Sequence, residues 1–297
     1  MKAFAALIWR EFLEHRGAFL YGPLLLVAVL LGSTILAFTV GRIDMRFSGA
    51  LFTAAPMRIY EWGFLGFAFA WLLYLLATLF FYCADSFAAD KRNNAMLFWK
   101  SMPVSDFTVL LSKLVAAITI FPAIIYLIAL LSGLLLFGVA VSTSAMNGGG
   151  GYALLGNVAG VYGQIAASLL VVLVVGLLWY LPFMAFVGAL AAVVGRWAIP
   201  LSLLFPSILS TLEWVVFGGG WQPLSTRTWE YLQYRADFPL TQGYIEAWTT
   251  TAAPFSFADF ATDLVARISW TQIGIGIVLA LVLVFLASQY RRRGIGE

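Results

Sequence analysis

Six long apolar runs alternate with polar segments along the 297-residue chain. A helix crosses the hydrocarbon core of a bilayer with about 20 mostly apolar residues. Runs of that length lie at about 20–40, 62–83, 114–140, 164–194, 198–217 and 270–289. The pattern therefore predicts an all-α integral membrane protein with about six transmembrane helices, which form a single transmembrane domain over residues 1–297.

The fourth run is longer than one crossing requires. Roughly 31 residues at about 1.5 Å each would form a helix of about 46 Å, whereas the hydrocarbon core is about 30 Å thick. Three structures are compatible with this length: a helix that tilts and projects from the membrane, a helix that bends at Pro182, or a re-entrant pair.

Composition supports the same class. Hydrophobic residues make up 62% of the chain and charged residues 10%, whereas soluble domains have about 25% charged residues. One soluble core could not bury so much apolar surface, so lipid must cover part of it. The one cysteine, Cys83, excludes an intrachain disulfide and a cysteine-based zinc cluster. It lies in an apolar run and is expected to be a small core residue. The scattered basic residues predict no nucleic-acid partner.

The distribution of basic residues predicts the orientation. Cytoplasmic loops of membrane proteins carry an excess of Lys and Arg. With the N-terminus in the cytoplasm, eleven of the 17 Lys and Arg residues, including all four lysines, lie on the cytoplasmic side. An even number of spans would then place both termini in the cytoplasm.

Residues 1–19 are predicted to form an interfacial helix on the inner membrane surface. Its apolar side holds Phe4, Ile8, Trp9 and Phe12. Arg10 and Glu14 lie on the opposite side. The one histidine, His15, is expected to be a solvated surface residue.

The cytoplasmic loop over 84–110 is the most polar stretch of the chain. A short helix is expected over 86–101, because a residue that precedes a proline such as Pro103 disfavours helical geometry. Ser105 or Asp106 can cap the next helix, which continues into the third run.

Two other segments are predicted to lie outside. Residues 142–160 contain four consecutive glycines, Gly148 to Gly151, which are typical of a flexible tether. The extracytoplasmic segment 218–269 is rich in Trp and Tyr. We expect short helices on the outer membrane face there, with the rings at headgroup depth.

Catalytic signatures are absent from the sequence. It has no HExxH, GxSxG or Walker A motif, so we expect neither a metal site nor an enzyme that works by itself. An embedded lipid-modifying enzyme would need converging polar groups, and only acids and tyrosines of the outer segment are candidates. An ion-coupled carrier needs ionisable residues at membrane depth. The one acid inside a run is Glu213, either a gate in a transport path or an acid near the outer interface that water or an outer arginine could reach.

The cytoplasmic loop resembles a known family. Residues 90–106 read DKRNNAMLFWKSMPVSD. This stretch resembles permease subunits of bacterial type 2 ATP-binding-cassette (ABC) exporters, in which D-(K/R)-R-x-x-x-x-L-F-W-K-S-(L/M)-P-V-S follows the second span. The sequence Trp9-Arg10-Glu11-Phe12 is similar to the interfacial helix of that family.

The resemblance implies that this loop carries a coupling helix, which sits in a cleft of a separate ATPase subunit. The residues that it places there are Asp90, Lys91, Arg92, Leu97, Phe98, Trp99, Lys100 and Pro103. The alternative is an interfacial helix with its basic residues at lipid headgroups. The resemblance further implies a second permease subunit, two ATPase subunits that bind ATP and Mg²⁺, no cofactor in this chain, and a location in the bacterial inner membrane among lipids. It does not give the substrate.

Overall fold

The architecture comes from a computed structural model, which describes residues 2–40, 57–92, 105–146, 151–217, 226–238, 243–251 and 254–293. Every regular element in these ranges is a helix, so the predicted all-α class is confirmed. The helices are α1 Lys2–Arg16, α2 Gly22–Thr39, α3 Met57–Arg92, α4 Asp106–Ile118, α5 Ile120–Met146, α6 Gly151–Val194, α7 Ala198–Phe217, α8 Arg227–Ala236, α9 Tyr244–Thr250, α10 Phe257–Arg267 and α11 Trp270–Arg293.

Five helical stretches of the described chain are long and apolar enough to cross a membrane. They are Ala3–Ala37, Arg58–Phe87, Asp106–Ser142, Val158–Phe217 and Trp270–Arg292. The fourth is 60 residues long and contains two of the predicted runs. These stretches identify a membrane protein, whereas the count of six spans stays a prediction.

A tight turn divides that fourth stretch into α6 and α7. Gly195 has a φ of 59°, a left-handed conformation that glycine adopts without steric cost. Phe186 and Phe205, on opposite sides of the turn, bring their rings to 5.7 Å. The two helices therefore form an antiparallel hairpin.

The over-long fourth run is part of one continuous helix. α6 has 44 residues, which corresponds to about 66 Å. Pro182 lies inside it without ending it, so a re-entrant pair over 164–194 is wrong. A helix of this length must tilt or project beyond a hydrocarbon core of about 30 Å.

Two further segments were predicted to differ from the spans. The flexible tether was predicted at Gly148 to Gly151, of which Gly151 is the first residue of α6, whereas residues 148–150 lie outside the described ranges. The described parts of 142–160 are helical, since α5 continues to Met146 and α6 begins at Gly151. The N-terminal helix α1 continues into α2 through the π-helical segment Gly17–Tyr21, and its position on the membrane surface stays a prediction.

The side of α1 that faces the rest of the protein carries Leu7 and Glu11, which are buried, whereas Trp9 is 56% exposed. The placement of the exposed apolar side on a membrane surface stays a prediction. The buried side packs mainly against α4, and a partner helix can accept a carboxylate where a lipid surface would not. The sequence periodicity of α1 alone does not contain this information.

α6 is the central helix and packs most extensively against α3 and α11. The buried residues form two apolar clusters, one toward the cytoplasmic loop and one toward the outer segment. Cys83 belongs to the first cluster and is buried, as predicted. In the second, Gly133 allows close approach, because a Cβ there would lie 2.6 Å from the Phe64 ring.

Candidate functional site

The residues predicted to couple to an ATPase lie at and beyond the C-terminal end of α3. This helix continues without interruption to Arg92, so its last turn includes Asp90, Lys91 and Arg92. Residues 86–92 are thus helical, as predicted for 86–101, but they belong to α3 and do not begin a separate short helix; residues 93–101 lie outside the described ranges. The remaining predicted contact residues, Leu97, Phe98, Trp99, Lys100 and Pro103, lie outside the described residues.

The loop over 93–104 returns to the described chain at a capped helix. Ser105 is the N-cap of α4, and its hydroxyl oxygen accepts a hydrogen bond from the Thr108 N–H at 3.2 Å. This confirms the predicted start of the helix, since an N-cap hydroxyl satisfies a backbone donor that the first turn leaves free. The loop thus connects the end of α3 to a fixed start of α4.

A buried ion pair joins the helices that flank this loop to the N-terminal helix. Lys113 of α4 places its Nζ 3.0 Å from Oε1 of Glu11 in α1. The Tyr82 hydroxyl of α3 donates to Glu11 Oε2 at 2.9 Å. Lys113 is 1% exposed and Glu11 3%. Glu11, Tyr82 and Lys113 are termed the junction triad, and they connect α1, α3 and α4 at one point.

Aromatic rings enclose the junction triad. The Tyr82 ring meets His15 at 4.7 Å and Phe121 at 4.9 Å, both edge to face. Phe19, in the π-helical segment, stacks on Phe121 at 3.9 Å. His15 is partly buried and its Nδ1 lies 3.0 Å from the Glu11 carbonyl oxygen, so the expectation of a solvated histidine is wrong.

The junction triad ties three helices together because each partner depends on the others. Removing one member of a buried ion pair leaves the other charge uncompensated and costs about 3–5 kcal/mol. A displacement of α3 or α4 that separated Glu11 from its partners would carry that cost. The N-terminal helix is therefore expected to follow the two helices that flank the loop.

One cluster of ligand-type atoms lies beside the triad, in Glu11, Glu14 and His15, within 4.8 Å of one another. Both carboxylates are already paired with cations, since Glu11 contacts Lys113 and Glu14 contacts Arg10 at 2.6 Å. A metal ion would have to displace those cations, so these residues do not fit a metal site.

Glu213 lies near the outer end of α7, where its carboxylate binds the start of α8. Its two oxygens accept hydrogen bonds from the backbone N–H groups of Arg227 at 3.1 Å and Thr228 at 3.0 Å. A carboxylate at a helix N-terminus satisfies free donors and complements the helix dipole. This geometry fixes α8 to α7. A gating role for Glu213 stays a prediction.

Sequence reasoning missed other buried charges, among them Arg235, Arg58 and Glu61. Arg235 of α8 is 1% exposed, and its Nη2 donates to the Trp179 carbonyl at 2.9 Å. Arg58 and Glu61 lie near the start of α3 and are 3% and 0% exposed. Opposite charges three residues apart at the end of an apolar run were the available signal for that pair. Arg235 gave no such signal, because Trp179 is remote in sequence.

The aromatic residues of the outer segment were expected at headgroup depth. Tyr231 and Tyr234 are about half exposed, which is compatible with that position. Trp248 is 3% exposed and contacts Arg58 instead, so the prediction is wrong for this ring.

No protein-family model matches the chain, and no curated protein and no solved structure matches it.

Proposed function

We propose that this chain is the membrane-spanning subunit of an ATP-driven ABC exporter, and that the loop over 93–104 contacts a separate ATPase subunit. The observation that carries the proposal is the junction triad, which ties both helices flanking this loop to the N-terminal helix. A loop that is moved by an ATPase subunit needs such a rigid attachment to the helices. The resemblance of residues 90–106 to exporter permeases is the reason for proposing an ATPase subunit as the partner.

The helices suggest how movement of the loop would reach the apolar helices. When the ATPase subunits close on ATP, the loop would shift the end of α3 and the start of α4. The junction triad would pass this shift to α1, which continues into α2 through the π-helical segment Gly17–Tyr21. Such segments often occur at functional positions of helices.

The finer features of the proposal follow from the resemblance and from the charge distribution. Two permease subunits would act with two ATPase subunits, and ATP and Mg²⁺ would bind in the ATPase. The excess of Lys and Arg on one side favours cytoplasmic termini in a bacterial inner membrane. The α6–α7 hairpin supports six crossings, because it turns at Gly195–Trp197 next to the basic residue Arg196.

The test is purification of the tagged full chain from its native membrane, followed by an assay of co-purified ATP hydrolysis. Phe98→Ala and Trp99→Ala should release the ATPase, because the resemblance places both rings in its cleft. Lys113→Met should keep the ATPase bound while weakening the link between ATP hydrolysis and transport. The matched control is Arg10→Met, which breaks the more exposed Arg10–Glu14 pair. Recovery of folded chain without any ATPase in mild detergent would overturn the proposal.

A further inference from the structure

Residues 254–257, termed the outer strap, are held by side chains from three helices. Three consecutive backbone N–H groups of the strap donate to side-chain oxygens. Phe255 N–H binds Glu61 Oε1 at 3.0 Å, Ser256 N–H binds the Tyr244 hydroxyl oxygen at 2.6 Å, and Phe257 N–H binds Gln164 Oε1 at 3.1 Å. Glu61 belongs to α3 and Gln164 to α6, so the strap is attached to two long helices at once.

Arg58 holds the other side of the same outer segment. Its Nη2 donates to the carbonyl oxygen of Trp248 at 3.0 Å and also to that of Thr251. These carbonyls lie at the end of α9, where a cation complements the helix dipole. The guanidinium lies 4.1 Å from the Trp248 ring centroid, and its Nη1 lies 3.7 Å from Glu61 Oε2. The Arg58–Glu61 pair therefore contacts both α9 and the strap.

The attachment of the outer segment to α3 differs from an ordinary apolar contact between helices. Arg58 and Glu61 are both buried, and a buried ion pair is often no more stabilising than well-packed apolar residues in its place. Trp248, Thr251 and Phe255 each bind the pair through a backbone atom of the outer segment, whereas the two charges lie three residues apart on α3. If the segment lifts, both charges meet water while they remain next to each other, so separation leaves no buried charge unpaired.

The closed contact also leaves polar atoms without hydrogen bonds. Within the described part of the chain, Glu61 Oε2 and the Trp248 indole nitrogen are buried and have no hydrogen-bond partner, since 3.7 Å to Arg58 is an ion-pair distance and not a hydrogen bond. Polar atoms that stay dry in the closed state and would be hydrated in the open state favour opening. The contact is thus specific in geometry and modest in strength.

We propose that Arg58, Glu61 and Gln164 form a releasable latch, which holds residues 243–251 and 254–267 over the N-terminal ends of α3 and α6. The latch opens locally while the rest of the bundle stays folded. Its use in releasing a substrate outward rests on the proposed exporter function, whereas the opening itself is a property of this chain alone.

The experiment is hydrogen–deuterium exchange on the purified full chain in lipid nanodiscs, without any ATPase, followed on peptides that cover residues 254–260. Glu61→Gln and Arg58→Met should each raise strap exchange by about 10- to 100-fold, the factor that corresponds to loss of a charge-assisted hydrogen bond. Gln164→Ala should give a smaller increase in the same peptides. Peptides from α4 should stay unchanged in all three variants.

The control is Ile125→Ala in α5, which creates a cavity in the other apolar cluster and destabilises the whole bundle without changing α3 itself. Strap exchange should not respond to it if opening is local. Equal acceleration of the strap by Ile125→Ala and Glu61→Gln would mean that the strap opens only with global unfolding, and the latch would be refuted. Unchanged strap exchange in Glu61→Gln would refute it as well, and if Arg58→Met fails to fold, the other two variants still decide. Because no ATPase is present, failure of the exporter proposal would not alter any of these outcomes.

Discussion

Lys113→Met tests whether the junction triad holds the cytoplasmic end of the bundle together. Methionine has a similar length and no charge, so the substitution leaves Glu11 buried at 3% exposure without its cation. Such a loss costs about 3–5 kcal/mol. The population of molecules with an open junction should therefore rise by about 150- to 5,000-fold, up to the limit set by global unfolding.

Cys83 provides the assay without any engineering. It is the one cysteine of the chain, it follows Tyr82 directly, and it is 1% exposed. A maleimide reagent can reach the thiol only when the junction or the whole bundle opens, so the labelling rate reports the open population. Lys113→Met should raise that rate strongly in detergent or nanodiscs. Arg10→Met should change it by only about 1.4- to 5-fold, because exposed pairs contribute roughly 0.2–1 kcal/mol.

A double variant distinguishes the effect of the Glu11–Lys113 ion pair from the effect of side-chain packing. Glu11→Met with Lys113→Met removes both charges and fills the space with apolar atoms, which is often neutral or stabilising for buried pairs. The Tyr82 hydroxyl keeps a possible acceptor, the Lys113 carbonyl oxygen at 3.3 Å. Labelling should return to within about ten-fold of the parent rate, a strong coupling between the two positions. Additive effects of the two single changes would refute the reasoning.

Three further predictions concern packing, capping and pH. Gly133→Ala should destabilise the bundle by about 1–3 kcal/mol, because its Cβ would lie 2.6 Å from the Phe64 ring. Gly138→Ala, where nothing lies within 4 Å, should not destabilise it, and Cys83 labelling compares the two. Glu213→Ala should loosen the start of α8, seen as faster hydrogen exchange in residues 226–236, with Thr211→Ala as an exposed control. The hydrogen bond from Arg267 holds the pKa of Asp263 below its usual value, so the stability that Asp263 provides is present above about pH 4 and is lost as the pH falls through the lowered pKa. Exchange of residues 243–250, corrected for its intrinsic pH dependence, should accelerate in that acidic range, and Asp263→Asn should remove this response.

Each of these predictions has a contradicting result. Equal labelling rates in Gly133→Ala and Gly138→Ala would show that the Phe64 ring moves aside freely. Unchanged exchange at the start of α8 in Glu213→Ala would show that the Thr226 side chain, which accepts from Trp229 N–H, caps the helix without help. A pH response that persists in Asp263→Asn would belong to another group.

The sequence patterns that were predictive are local ones. The fifth apolar run, 198–217, coincides with α7, and the N-cap at Ser105 follows from an extended residue before a helix-forming stretch. Run length could not give the full extent of α6, because a helix also continues where protein instead of lipid covers it. Hydropathy placed the second run at about 62–83, which left Arg58 and Glu61 outside, although α3 begins at Met57.

The residues that sequence reasoning missed are those whose meaning depends on a remote partner. Glu11 lies on the same side of α1 as Leu7. In a prediction from the spacing of apolar residues alone, a carboxylate on that side is an exception to the apolar pattern. Its partner, Lys113, is about a hundred residues away. The outer-segment contacts of Arg58 and Glu61 are still more remote, with separations of 190 and 194 residues. A local sequence pattern cannot indicate which remote residues form a pair, because the packing of the helices determines which side chains meet.

One helix connects the two buried ion pairs. α3 carries Arg58 and Glu61 near its N-terminal end and Tyr82 of the junction triad near its C-terminal end, in 36 residues without a proline. A continuous helix without a proline kink transmits a displacement along its length, so a shift imposed at the loop should alter the latch. Lys113→Met should then raise exchange of the outer strap even though the substituted residue lies at the far end of the bundle. If exchange changed only in peptides around the junction triad, α3 would not transmit the displacement. The junction triad and the latch would then open independently of each other.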